Sequence, residues 1–286
     1  MPLLRIIRGS RCGLVLAAVL AFGTLAGIVS LARAQVTYRA ASDQRLIFPV
    51  VLKAGFFGTV PVPTGLVGWW SGDAGADDIS CNNYNGTWQG GVNVSPGKVS
   101  NAFDLDGVRR YVLIPDTTTG QAPDLLDPTA AATLVAWVYF RQRPSDVGHY
   151  MEIVSKSGGG TDLDLQAQDN DDRFYFYVAS GYPNVVASQT AIQPGQWYFV
   201  AATYTANGAL KMYVNGALES TKSIPGVTRA ANGNPVTIGA SYVWPGRYLN
   251  GLVDEAQLFS RALTASEIQG IYNAGSFGED KSAACT

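Results

Sequence analysis

Any chemistry in this chain would have to be done almost without histidine. His149 is the only one, so neither a histidine-rich metal site nor a Ser/His/Asp relay has its parts. Carboxylates are the other route, because two of them roughly 5 Å apart can cleave a glycosidic bond with retention. The glutamates are Glu152, Glu219, Glu255, Glu267 and Glu279, and none sits at a spacing that pairs it with a second acid on one strand face. Asp169-Asn170-Asp171-Asp172 has the look of half a calcium loop but lacks the glycine and the distal glutamate; it reads as a solvated hairpin turn. Recognition is better served than catalysis. Tyr242, Trp244 and Arg247 in one Pro/Gly-containing loop, and Tyr182 in another, are the aromatic and donor groups that could stack on and grip a sugar ring. Aromatics that simply cover a sheet edge would look the same.

The elements that must carry these residues are strands. Tyr248–Phe259 alternates, with Leu252, Ala256 and Leu258 on one row and Val253, Glu255 and Gln257 on the other. Asp254 falls on the first, apolar row and is expected to point inward, where a bare carboxylate needs a cation or several donors. A short helix follows. Thr264 is its N-cap, Glu267 closes a capping box, Leu263 and Ile268 form a hydrophobic staple, and Gly275 ends it. Upstream, alternating runs recur between Thr133 and Ser241 with turn signals at Asn207-Gly208 and Asn215-Gly216. A dozen or so strands and one credible helix describe an all-β, two-sheet antiparallel sandwich.

Charge and cysteine bound the setting. Residues 1–34 hold four arginines and no acid; without them 16 basic residues face 22 acidic ones, a formal charge of −6. That balance argues against nucleic acid as a partner. Arginines precede an uncharged run from Cys12 to Ala32, and Ala32-Arg33-Ala34 offers a cleavage site before Gln35. The run is also long enough to act as an uncleaved membrane anchor through residues 12–32. Both readings put the remainder outside the cytoplasm, secreted or at the cell surface. In that oxidising setting Cys81 and Cys285 are expected to form a disulfide. Residues 35–64 read as a linker holding one apolar strand-like run, Leu46–Leu52. Pro49 confines that run to an edge, either packed on the domain or offered to another molecule.

Nine short runs give the domain a family likeness over residues 65–275. They are Gly65–Trp70, Asn85–Thr87, Pro96–Val99, Phe103–Gly107, Val135–Val138, Ile153–Lys156, Gly195–Ala201, Met212–Gly216 and the closing stretch Gly251–Ile268. In this order they resemble the laminin G-like jelly rolls of the concanavalin A-like lectin/glucanase superfamily. The resemblance implies a jelly-roll sandwich and, as a rule, a non-catalytic module for glycan binding or adhesion. It also implies a structural calcium between an early carboxylate and an aspartate of the last strand, here Asp73 and Asp254, unless these only tie strands together by hydrogen bonds. The glucanases of this group carry a Glu-x-Asp-x-x-Glu strand. Asp162-Leu163-Asp164 is the nearest match and lacks the third carboxylate. The sequence thus predicts a signal or anchor (1–34), a linker (35–64) and a jelly-roll domain (65–286). It predicts binding of a glycan or a cell-surface protein, with an assembly subunit acting through residues 46–52, and more distantly a carbohydrate-active enzyme, as the alternatives.

Overall fold

The computed structural model describes residues 33–39, 45–51 and 60–284, apart from 74, 92, 117–124, 159, 161 and 181. The chain divides into two units, residues 1–56 and 57–286. The first holds an antiparallel ribbon, β1 (Arg33–Arg39) paired with β2 (Arg45–Val51), with Pro49 opposite Gln35. The run read as an edge strand therefore has a partner within its own unit. Most of the expected leader lies outside the described residues.

In the second unit the strands follow in order: β3 (Leu66–Trp70), β4 (Thr87–Gln89), β5 (Val94–Pro96), β6 (Asn101–Asp106), β7 (Tyr111–Ile114) and β8 (Ala131–Phe140). A single helical turn, α1 (Pro144–Val147), precedes β9 (Met151–Ser155), β10 (Asp162–Ala167), β11 (Arg173–Ala179), β12 (Val185–Ala191) and β13 (Trp197–Thr205). Then come β14 (Ala209–Val214), β15 (Ala217–Ser223), β16 (Val236–Ile238), β17 (Asn250–Phe259) and α2 (Ala265–Ala274). The sequence did not foresee α1, whose four residues are too few to show a helical period.

Two antiparallel sheets form the sandwich. One has the order β12-β11-β10-β9-β16-β7-β4; the other runs β15-β14-β13-β8-β17-β6-β5, with β3 also paired to β17. Alternation explains how the second sheet buries both faces. Leu134, Ala136, Val138 and Phe140 of β8, with Tyr198, Val200, Ala202 and Tyr204 of β13, enter the core between the sheets. Val135, Trp137, Phe199 and Ala201 from the same strands face outward into a smaller core capped by Leu263, Ile268 and Ile271. The capping box is formed: Thr264 Oγ1 accepts from Glu267 N at 3.3 Å, and Glu267 Oε2 accepts from Thr264 N at 2.8 Å. A parallel bridge also ties the start of this unit to its last segment. Val60 N donates to Gly278 O (3.3 Å), and Asp280 N donates to Val60 O (2.9 Å).

The last strand departs from its simple alternation. Its pairing with β8 shifts between Asp254 and Gln257, and Glu255 takes a left-handed φ of 53°, the mark of a β-bulge. Val253, Ala256 and Leu258 therefore share the inter-sheet core. Asp254, opposite Trp137, turns to the outer face instead of joining the row of Ala256 and Leu258. It is nevertheless fully buried.

Candidate functional site

On the first sheet the outer face is polar. Leu163, Leu165 and Ala167 of β10 enter the core, so the register turns Asp162, Asp164 and Gln166 outward. Gln166 lies opposite Glu152 of β9 and Tyr175 of β11, and Asp164 opposite Ser155 and Tyr177. Over this row the loop after β16 brings Trp244 and Arg247. Together with Tyr150, Asp162, Asp164, Gln166, Tyr177 and Ser180 they enclose a groove of about 240 Å³.

Arg247 organises the groove. Its guanidinium carbon lies 4.7 Å from the centroid of Tyr150 and 5.2 Å from that of Trp244, within the range of cation–π attraction. Its Nη1 donates to Glu152 Oε1 at 3.3 Å. The Gln166 amide is best satisfied with its nitrogen donating to the same oxygen (2.8 Å) and its oxygen accepting from Gln168 Nε2 (2.9 Å). Gln168 in turn donates to the Tyr177 hydroxyl at 2.7 Å. Glu152 is fully buried. Desolvation, reinforced by the charge of Asp164, pushes its carboxyl well above the usual range, against the pull of Arg247. Burial likewise raises Asp164 to about 6, with Asp162 adding to the rise and the hydroxyls of Ser157 and Ser155 opposing it at 2.7 Å each. Asp162 is raised by the same burial. The carboxylates hold the arginine and the strands in place, while Trp244, 51% exposed, presents an open ring beside fixed donors and acceptors.

Of the four ligand residues expected from sequence, Trp244 and Arg247 are in this groove. Tyr242 is 51% exposed and lies outside the groove lining. Tyr182 is 85% exposed in the turn after β11. Sequence reasoning weighed Asp162 and Asp164 only as an incomplete catalytic strand and missed Tyr150, Glu152, Gln166 and Tyr177. The acid, acid, amide row at every second residue of β10 was a signal for three of them; Glu152 joins only through cross-strand register. The Asp169–Asp172 run is a hairpin turn in which Asp172 accepts from Ser145 N (2.8 Å) and Oγ (2.6 Å). His149 sits in a turn, its Nδ1 2.8 Å from Tyr150 O.

The two expected metal ligands have separate partners. Asp73 Oδ2 accepts from Lys281 Nζ at 2.6 Å, and the same ammonium reaches Glu255 Oε1 at 2.5 Å. Asp254 Oδ2 accepts from the backbone of Lys98 (2.7 Å) and Val99 (2.8 Å), whereas its Oδ1 is buried without a partner. Burial, with Glu255 adding repulsion, raises Asp254 to about 8. Among the described residues no group of three or more His, Cys, Asp or Glu side chains is arranged to hold a metal ion. An ammonium, not a second carboxylate, therefore faces Asp73. Cys81 is disulfide-bonded; Cys285 lies outside the described residues.

Comparison with known proteins agrees with this architecture. Domain 4 of AbnA, a GH43 extracellular arabinanase from Geobacillus stearothermophilus solved with arabinotriose, is similar at a TM-score of 0.57 and 21% identity, over 71% of this chain and 96% of that one. The binding domain of Paraclostridial Mosquitocidal Protein 1 gives 0.59 at 16% identity, over 73% and 52%. The binding domain of botulinum neurotoxin DC, solved with rat synaptotagmin II, gives 0.58 at 14%, over 73% and 51%. The chain thus spans about half the length of the toxin domains, and at these identities the likeness is one of fold. No curated protein matches the chain. The sequence model of laminin G family 3 matches residues 106–269, more than half of the chain, so the protein belongs to that family of the concanavalin A-like lectin/glucanases superfamily.

Proposed function

We propose that the protein is an exported binding module that takes a neutral, hydroxyl-rich saccharide in the Arg247 groove without transforming it. The observation that carries this is Trp244, half exposed beside an arginine already fixed by Tyr150 and Glu152. A ring face would lie on the indole, and its hydroxyls would meet Asp162, Gln166 and the guanidinium. A similar fold, the arabinanase domain, was solved with a neutral saccharide of this class, arabinotriose. Buried Glu152 and Asp164 are engaged by Arg247 and by two serines, which supports a holding role over acid–base work. A glycan array with the full chain, followed by calorimetry on the hits, tests the reading. Trp244→Ala and Arg247→Ala should each weaken binding at least tenfold. Binding that survives both changes would remove the groove from consideration.

Export, and the membrane anchor as its variant, belong to the same proposal. N-terminal sequencing should find Gln35 first, or the intact chain in the membrane fraction; intact soluble chain in the cytoplasm contradicts both. A structural calcium is a separate proposal resting on Asp254 Oδ1, buried and unpartnered, where an oxygen-seeking cation could sit. Assembly through residues 46–52 is the second reading of function. Its support is the ribbon β1–β2, since two strands alone are marginally stable in water. Deleting residues 35–64 should abolish oligomers under that reading and leave glycan affinity unchanged under the first.

A further inference from the structure

The opposite face of the sandwich holds a second concavity, of about 340 Å³, between the turn before β6, the strands β8 and β13, and the end of α2. Trp137, 5% exposed, is its floor; Trp197 and Tyr272, both half-buried, are apolar walls. Trp137 is packed in place, stacked on Tyr272 with centroids 5.8 Å apart and edge-on to Phe199 at 5.2 Å. The polar groups are Lys98, Asn215 and Asn273. Lys98 Nζ stands 4.7 Å from the centroid of Trp137 and forms no ion pair with a described residue. Asn215 Oδ1 is used by Phe199 N (3.1 Å), and Asn273 Oδ1 by Gln269 Nε2 (3.0 Å). Each amide oxygen has an intramolecular donor, and each NH2 group remains a double donor.

From this inventory we infer that the pocket is a second binding site, for a saccharide ring bearing a carboxylate. Its one charged side chain is a cation, and no carboxylate lines it. The Arg247 groove is the reverse, lined by Asp162, Asp164 and Gln166. The aromatic walls accept the apolar face of a ring, and Lys98 with the two amides receives the acid group. The negative end of α2 works against an anion here, but an exposed helix dipole is a weaker influence than a hydrogen bond to a charged group. The last turn is also partly capped, since Gly275 N donates to Tyr272 O. Lys98 thereby gains a role beyond its place in a turn.

The probe is trigalacturonate, with its carboxyl-reduced neutral counterpart as the control, titrated into the full chain while indole N–H signals are followed by NMR. Trigalacturonate should shift the Trp137 and Trp197 signals and bind at least tenfold more tightly than the neutral trimer, with affinity falling as salt rises. Lys98→Met should abolish the preference and Lys98→Arg should keep it, both with unchanged melting temperature. Trp244→Ala, on the other face, should leave this binding intact. Equal affinity for the two trimers, a Lys98→Met protein that still discriminates, no binding of trigalacturonate at millimolar concentration, or shifts confined to Trp244 would each overturn the inference.

Discussion

Asp254→Asn, studied in the presence of chelator, should make the protein less sensitive to alkali. In the fold this carboxyl titrates at about 8, against 3.8 for the free side chain. It is buried, with two backbone N–H donors on one oxygen and no partner on the other. A folded pKa above the unfolded one means that the stability linked to this group is fully present below about pH 4 and is lost as pH rises toward 8. The limiting slope for one group is about 1.4 kcal/mol per pH unit, so moving from pH 5 to pH 7 costs at most about 3 kcal/mol through Asp254 alone. Asparagine keeps the acceptor for Lys98 N and Val99 N and cannot ionise. Its NH2 lacks an acceptor at the Oδ1 position, as the O–H of the neutral acid does, so the two proteins should be similar near pH 5. Above pH 6 the variant should be the more stable. Neighbouring Glu255, raised by burial to about 7 with Lys281 opposing the rise, and Glu279, raised by burial to about 8, titrate in both proteins, so the comparison reads Asp254 together with its coupling to Glu255. Urea unfolding at half-unit steps from pH 4.5 to 8.5 reads the difference directly. Parallel curves for wild type and variant would show that Asp254 is not held neutral, and the argument from burial would fail.

Calcium offers a linked test: because a bound cation favours the ionised carboxyl, added calcium should raise the melting temperature of the wild type more at pH 8 than at pH 6 and leave Asp254→Asn unchanged. Identical melting in excess calcium and in chelator at both pH values removes the ion. Peptide mapping of secreted protein should recover Cys81 linked to Cys285, closing a loop that chain-entropy arguments value at no more than about 5 kcal/mol; two free thiols would exclude the bond. Glu152→Gln should leave polysaccharides as inert as the wild type does while weakening saccharide binding, since Arg247 loses the carboxyl oxygen that holds it. Turnover by the wild type that this change abolishes would show the buried pair to be catalytic. Thr264→Ala should cost about 1 kcal/mol through loss of the N-cap, measured by thermal unfolding, with saccharide affinity unaltered.

How much of this was legible depends on whether the information was local. The helix α2 was readable because its cap and capping box lie within a few neighbouring residues, although Gly275, expected as a left-handed cap, ends it at φ 57° and ψ −126° instead. The two-sheet core was readable because β8 and β13 repeat their alternation over nine or ten residues. Asp254 was placed on the wrong face for a local reason that leaves no trace in residue type. Glu255 adopts a left-handed conformation that carries no glycine to announce it, and one extra residue inverts every later side chain. The groove was half legible. Trp244 and Arg247 stand out in their loop, whereas Glu152 meets Gln166 only through the pairing of β9 with β10. The same limit hid a buried ionic cluster under the sandwich edge. Lys156 Nζ lies 2.6 Å from Asp116 and 3.2 Å from Asp127, and Arg229 lies 2.7 Å from Asp127, residues brought together across as many as 102 positions.

The bridge between Val60 and the Gly278–Asp280 segment has a mechanical consequence. The two backbones run in parallel there, so force applied to the chain ahead of Val60 and to the chain beyond Asp280 is directed oppositely along the bridge. Tension between them would pull along the strands, loading the Val60–Gly278 and Asp280–Val60 bonds together instead of opening them one after the other. Lys281, held by Asp73 and Glu255 immediately beyond, would take up the same load. The sandwich would then begin to yield at this clasp only after both hydrogen bonds and the ammonium contacts had given way.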